Sequence, residues 1–306
     1  MRCAKRDFKF MDLSIIIVSW NVREQLKNCL TRLGLSQTNF TYEVFVVDNG
    51  SHDGSAEMVA KDFPAVKLIA NNGNVGFARA NNQAFRESSG DYIFLLNPDT
   101  FVFESTIDNL LHWLNLNRRV GIGGCRLLDK LGADLPGQVR RYPGLFNQLA
   151  IILKLPYLFP RILRRYLCWN FDYYQPQAVE TVRGSAMILR RSALAEVIPY
   201  DRWQRGELLD ERFFVWFEDV DLCRTFKAAD EEVWYTPAGR CFDLTGQSFA
   251  QLPRTQAQKY FRRSMLAYFK KWKPRWQFII LWLAWPVGIA LTAVFTFLGF
   301  EKKDNT

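Results

Sequence analysis

Histidine is almost missing from this chain: its 306 residues include only His52 and His112. The six cysteines, Cys3, Cys29, Cys125, Cys168, Cys223 and Cys241, form no Cys-x-x-Cys pair. These two shortages exclude a zinc site and read as reduced thiols in a cytosolic domain. No Gly-x-Gly-x-x-Gly follows the first apolar run, which disfavours a dinucleotide fold. Helix-turn-helix, zinc-finger and RNA-recognition patterns are missing as well, so nucleic acid is not expected as a partner. The opening MRCAKRDFKF is basic but leads into a strand pattern, not into the apolar core of a signal peptide. Both Met1 and Met11 remain open as the start.

Acidic residues are outnumbered: 31 against 40 Lys and Arg, a formal charge of +9. Such a balance suits nucleic acid, anionic lipid or phosphorylated substrates. The basic residues crowd around 161–165 and 254–275, interleaved with large apolar side chains, which fits a membrane surface better than a DNA groove. Residues 276–300 contain no charge at all. As a helix they would reach about 37 Å, against about 30 Å of bilayer hydrocarbon. Trp276, Trp282 and Trp285 crowd one end, as interface anchors do, and Pro286 is tolerated in lipid. A transmembrane helix is expected, with a buried C-terminal hairpin as the alternative. Lys270, Lys271, Lys273 and Arg275 precede it and Lys302 and Lys303 follow, so the positive-inside bias puts the long N-terminal part in the cytosol at a plasma membrane.

Along the chain, LSIIIVSW (13–20) is a continuous apolar run of strand length, as in a buried parallel sheet. Helix is expected over 22–35, strand over 43–48, a helix after SHDGS, strand over 66–70, helix over 75–87, strand over 91–97 and helix over 104–116. This alternation predicts a doubly wound α/β sheet, in which ligands bind beyond the carboxyl ends of the strands. The clusters SWN, DNGSHDGS and NPDT fall at those ends, which makes Ser19, Asn21, Asp48, Asn49, Asn97 and Asp99 candidate ligand contacts. Residues 145–169, broken by Pro156 and Pro160, are too interrupted to span a bilayer and read equally as interfacial or as core. Strand character returns over 181–191, helix over 192–198, and a basic helix is expected over 252–271.

Each candidate has two readings. Asp48 can accept from the N3–H of uracil or thymine, or cap an Asx turn. Asn97 and Asp99, two apart in NPDT, can point at one Mg²⁺ or Mn²⁺, with substrate phosphates completing the shell, or cap a helix. In NNGNVGFARANN, backbone N–H groups after Gly73 and Gly76 can approach phosphate, and Arg79, Asn81 and Asn82 add polar reach. FFVWFEDVDLCRTFKAA (213–229) sets Glu218, Asp219 and Asp221 at a helix mouth behind aromatic residues. Paired carboxylates in such walls have raised proton affinity, which suits a general base; acidic residues also favour any helix N-terminus.

In order, LSIIIVSWN, VVDNGSHDGS, NNGNVGFARANN, FLLNPDT and ERFFVWFEDVDLCRTFKAA resemble glycosyltransferase family two, of the GT-A fold. The likeness is strongest to bacterial rhamnosyltransferase-like members and runs from about residue 12 to 250. It implies a GT-A domain over 12–250 (nucleotide-sugar half 12–125, acceptor half 126–250). That domain would follow a lead of 1–11 and precede a basic juxtamembrane helix at 251–275, the transmembrane helix at 276–300 and a tail at 301–306. It also implies a Rossmann-like, mostly parallel sheet and an inverting transfer from a nucleoside-diphosphate sugar such as dTDP-rhamnose to a lipid-linked or surface glycan. Asp48 then reads the pyrimidine, and Asp99 is the metal-binding acid of an Asp-x-Asp motif whose first acid is Asn97 here. Asp219 is the base with Glu218 beside it, and Gly184 and Ser185 line the acceptor side. One departure concerns CFDLTGQS: Gly246 and Ser248 match the family's His-x-x-Gly-x-Ser, but Asp243 replaces the histidine. Asp243 is thereby a candidate metal ligand, and it keeps open a non-catalytic, nucleotide-sugar-binding membrane scaffold. A second departure is Glu207, Leu208 and Leu209 ahead of Asp210, expected to affect acceptor recognition.

Overall fold

A computed structural model describes residues 11–36, 38–247 and 251–297. The first apolar run forms β1 (Met11–Ser19), with Leu13, Ile15 and Ile17 in one core cluster and Ile16 and Val18 in another. β2 (Tyr42–Asp48) splits the same way, Val44 and Val46 against Phe45 and Val47. Strands this apolar on both faces need helices above and below them. These are supplied by α1 (Arg23–Leu35), α2 (Ser55–Asp62), α3 (Phe77–Glu87) and α4 (Thr106–Leu116), interspersed with β3 (Lys67–Ala70), β4 (Gly90–Leu96) and β5 (Thr100–Val102).

The second half adds β6 (Val120–Leu128), β7 (Val139–Arg140), α5 (Leu145–Ile152), α6 (Leu155–Leu158), β8 (Gln177–Ala178), β9 (Thr181–Val182), β10 (Ala186–Arg190), α7 (Arg191–Val197), α8 (Tyr200–Gln204), α9 (Glu218–Ala228) and β11 (Glu232–Asp243). The main sheet runs β3-β2-β1-β4-β10-β6-β11-β5. Its first four strands are parallel, and β10 lies antiparallel between β4 and β6. The α/β expectation is met, with a parallel half joined to a mixed half. The strand expected over 181–191 is interrupted at Gly184, where the backbone turns toward α9.

Residues 145–169 are partly core and partly surface. Ile152 and Leu163 are buried, whereas Phe146, Leu158 and Phe159 are exposed. The basic helix α10 (Arg254–Trp272) sinks Met265, Tyr268 and Phe269 against Phe213, Phe217 and Val220. Lys271 reaches Asp210 (3.0 Å) and Asp221 (2.7 Å), and the Trp272 indole donates to Asp221 (2.6 Å). The unit beginning at residue 12 is thus tied to α10 by buried charge as well as by apolar packing. Helix α11 (Arg275–Phe297) carries Pro286 inside it and buries one stripe, Leu281, Trp285 and Gly288, leaving Ile279, Trp282, Leu283 and Val287 exposed. Only 17% of the Arg275–Thr292 stretch is buried, so α11 is no core helix, and by length and composition it can cross a membrane. The expected lead (1–10), tail (301–306) and last turn (298–300), together with Ser248, lie outside the described residues.

Candidate active site

The carboxyl ends of β1, β2 and β4 bring the polar clusters to one edge, where the loops contact one another. Asn21 takes a left-handed conformation (φ 51°), accepts from the His52 backbone N–H (2.7 Å) and donates its own N–H to Ser51 Oγ (2.9 Å). Asp53 accepts from the first N–H of α1 (Arg23, 2.8 Å) and of α2 (Ser55, 3.1 Å). Asp48 is buried; one oxygen accepts from Ser51 N–H (3.0 Å) and the other has no hydrogen-bond partner. Its register neighbour Ser19 also holds a buried hydroxyl without one. Such orphan acceptors are costly unless a ligand meets them.

Several sequence candidates are spent inside the protein. Asn49 accepts from Asn71 Nδ2 (3.2 Å) and Val75 N–H (3.1 Å) and donates to Asn74 (3.0 Å), so it shapes the 71–76 loop while lining the cavity. Asn82, fully buried, clamps Leu209 through both its N–H and its C=O (2.8 Å each). Arg79 is largely exposed and faces Glu211 at 4.0 Å. Asn82 and Arg79 do not line the cavities described below, and neither do Ser19, Asn21, Asp48 and Asp243. The expected phosphate-facing amides after Gly73 are committed too: Gly76 N–H donates to Asn74 Oδ1 (2.9 Å) and Phe77 N–H to Phe214 O (2.6 Å). Gly76 sits at φ 92°, and a Cβ there would lie 2.8 Å from Phe214 O, so the glycine allows close packing between α3 and the aromatic segment.

The two groups of acids line adjoining cavities. One, of about 220 Å³, is lined by Asp99, Asn97, Asn49, Trp20 and Tyr260. The other, of about 440 Å³, is lined by Asp219, Glu218, Arg140, Arg183, Gly184 and Ser185. Phe77, Asn97, Val215 and Gly246 belong to both.

Asp99 follows β4 and Asp243 ends β11, and the β5–β11 pairing of Thr100 with Asp243 brings them together. Both are buried. Asp243 accepts from Ser185 Oγ (2.8 Å) and Thr245 N–H (2.7 Å), with Arg183 at 3.8 Å. Burial and the nearby Asp243 charge push the Asp99 carboxyl up to about 6. Two buried carboxylates held against mutual repulsion fit a divalent cation. Among the described residues no group of three or more His, Cys, Asp and Glu could hold a metal ion, so an ion at this pair would need further ligands, such as the substrate phosphates that complete many Mg²⁺ and Mn²⁺ shells.

The second pair opens α9. Trp216 and Phe217 precede it at φ 64° and 68°, two consecutive non-glycine residues in the left-handed region, a strain of order 1–2 kcal/mol per residue. Burial of the Phe217 ring in the third core cluster offsets it. Burial, then the neighbouring Asp219 charge, pushes Glu218 well above the carboxylate range, and one of its oxygens has no partner. Asp219 accepts from Gly184 N–H (3.1 Å) and Val220 N–H (2.7 Å), with the Arg140 guanidinium at 3.6 Å. A Cβ on Gly184 would stand 3.2 Å from that of Asp219, so a side chain there would crowd the carboxylate. Asp221, the third acid of the segment, points away to Lys271 and Trp272.

Sequence reasoning missed Arg140, Arg183 and Tyr166. Arg183 adjoins Gly184 and was within reach of the motif. Arg140 ends the two-residue strand β7 and Tyr166, which lines the Asp219 cavity, lies in a turn; neither pattern carried a signal.

The mixed α/β sheet with its flanking helices has the GT-A fold. The Glycosyl transferase family 2 model matches residues 14–197, more than half of the chain, and the chain belongs to that family. It is similar to the N-acetylglucosaminyl-diphospho-decaprenol L-rhamnosyltransferase of Mycobacterium tuberculosis, with 24% identity over 287 residues and 88% of each chain covered. Rhamnosyltransferase WbbL of Escherichia coli K12 is 24% identical over 237 residues, spanning 73% of this chain and 80% of that protein. Among solved structures, a mannosyltransferase from Pyrobaculum calidifontis in complex with GDP-Man and Mn²⁺ shares the fold, with TM-score 0.54, 18% identity, and 94% of this chain and 76% of that one covered.

Proposed function

We propose that this chain is an inverting glycosyltransferase that moves a sugar, rhamnose being the leading candidate, from a nucleoside-diphosphate donor to a lipid-linked or surface glycan. The observation that carries this reading is the pair of adjoining cavities, one walled by Asp99 and the other by Asp219, with Asn97 and Gly246 common to both. A donor diphosphate at Asp99 and an acceptor hydroxyl at Asp219 would then meet across the shared walls. Similarity to two rhamnosyltransferases supports the sugar, and the decaprenol-linked substrate in the name of one supports a lipid-linked acceptor.

Asp99 and Asp243 would hold Mg²⁺ or Mn²⁺, which when bound supplies Lewis-acid neutralisation of the leaving diphosphate. The unpartnered oxygen of Asp48 is suited to a pyrimidine N3–H, with Ser19 beside it. Asp219 would take the acceptor proton. The N–H groups of Gly184 and Val220 fix its orientation, and burial, then the Asp219 charge, raise the proton affinity of Glu218. Helix α11 and the basic residues before it would hold the domain on the cytoplasmic face of a plasma membrane.

The test is nucleoside diphosphate release from dTDP-rhamnose and a panel of UDP- and GDP-sugars, with membrane lipid extract, with Mn²⁺ or chelator. Metal-dependent release abolished by Asp219→Asn supports the reading. Donor binding without release, with competent acceptor present, would replace it by the scaffold reading.

A further inference from the structure

A third cavity, of about 260 Å³, adjoins the catalytic one and has no part in the chemistry above. Ala257 and Phe261 of α10, Trp285 and Ile289 of α11, and Ile151 of α5 line it. Ile151, Trp216 and Phe261 also line the cavity that holds Asp219. A ligand with its polar head at Asp219 and an apolar tail can therefore occupy both spaces by passing along three shared side chains.

The charges around this passage favour an anionic head. Arg140 and Arg183 line the catalytic cavity. Lys154 lines the apolar groove, half-buried and in a left-handed conformation (φ 58°). Among the described residues no carboxylate pairs with it. On its other flank α11 exposes Ile279, Trp282 and Leu283, so the groove lies against a helix suited to hydrocarbon.

We propose that this groove holds the first isoprene units of a polyprenyl diphosphate-linked acceptor and so delivers its sugar to Asp219. The proposal rests on the lipid-linked reading above and adds the place where the lipid sits. A surface polysaccharide without a lipid tail would have no use for an apolar groove joined to the catalytic cavity.

The experiment reads binding, not turnover. Full-length protein in detergent is titrated with isopentenyl, geranyl, farnesyl and geranylgeranyl diphosphates, and a benzophenone-bearing farnesyl diphosphate is photo-crosslinked to it. Each methylene buried is worth about fourfold in affinity, so binding should tighten steeply with chain length and level off once the groove is full. Adducts should map to α10, α11 or residues 151–154. Ala257→Trp and Ile289→Trp, checked by thermal melting for an intact fold, should weaken farnesyl diphosphate at least about tenfold, the loss of only two methylenes, and leave isopentenyl diphosphate unchanged. Affinity independent of chain length, adducts confined to Trp282 and Leu283, or folded variants that bind as tightly as the parent would each overturn the proposal. A chain without transferase activity would still show the chain-length dependence. A transferase whose lipid sits elsewhere would turn over yet ignore both variants.

Discussion

Two acids side by side sit in different surroundings, which suits them to different roles. Glu218 is buried with an unpartnered oxygen, whereas Asp219 meets Arg140 and two backbone donors. General-base help is typically worth 10² to 10⁴ in rate, so Asp219→Asn should lower kcat by about that factor with donor affinity nearly unchanged, measured by steady-state kinetics and calorimetry. Asp99 predicts a pH effect of definite sign. Its folded-state value of about 6 lies above the ordinary 3.8, so the folded chain holds the extra proton between those values. Asp99 therefore opposes folding increasingly as pH rises from about 4 to about 6, by ~3 kcal/mol when fully ionised. Denaturation in chelator at pH 4.5 and pH 7 should show that Asp99→Asn removes this slope. A bound cation must displace the same proton, so Mn²⁺ affinity should fall up to about tenfold per pH unit below 6. The motif pairs were legible at this scale, since acids two or fewer residues apart at a strand or helix end stand out. Their contacts were not, because Arg140, Arg183 and Gly184 arrive from other segments; Gly184 stood out as a candidate, but its hydrogen bond to Asp219 is a product of the fold.

At the level of elements, α9 is held in place by α10. Lys271 lies between Asp210 and Asp221, and Arg212 and Lys271 draw the Asp210 carboxyl below its ordinary range although burial works the other way. Removing one partner of a buried pair leaves an uncompensated charge, at a cost of about 3–5 kcal/mol. Lys271→Met should therefore lower stability by that order in a denaturant titration, whereas Lys270→Met, at an exposed position, should change it little. Asn82 gives a second check. Its amide pairs with both backbone groups of Leu209, so Asn82→Ala should cost about 2–4 kcal/mol and leave donor affinity intact once the protein is folded. Periodicity made most of the elements legible: the apolar runs and helical spacings place the alternation within a few residues. The middle of the chain was not legible, because β7, β8 and β9 are two residues each and owe their existence to the strands they pair with.

For the whole molecule, one group of exposed apolar side chains lies on α11 and on the segment beside it. Helix α11 is exposed over most of its surface, and Phe146, Leu158 and Phe159 stand exposed on the segment around α5, against which α11 packs. Membranes from cells expressing the full chain should retain it through a carbonate wash, which releases proteins held by charge alone. Release by carbonate would instead mean that α11 lies along the surface. Tertiary structure also reduces the free charge ahead of α11: of Lys270, Lys271, Lys273 and Arg275, Lys271 is paired with Asp210 and Asp221.

The sequence by itself determined the α/β class, the family, the apolar terminal helix and the acids at the strand ends, because each is written in local spacing or in an ordered series of motifs. Tertiary structure decided which of those polar residues face a cavity. Asn82 and Arg79 look like ligands in a string of letters, and the fold turns one inward to Leu209 and the other outward to Glu211. Asp243 was a candidate metal ligand by its place in a motif, and strand pairing sets it beside Asp99. Local pattern fixes what a segment is; only the crossing of distant segments fixes what its side chains meet.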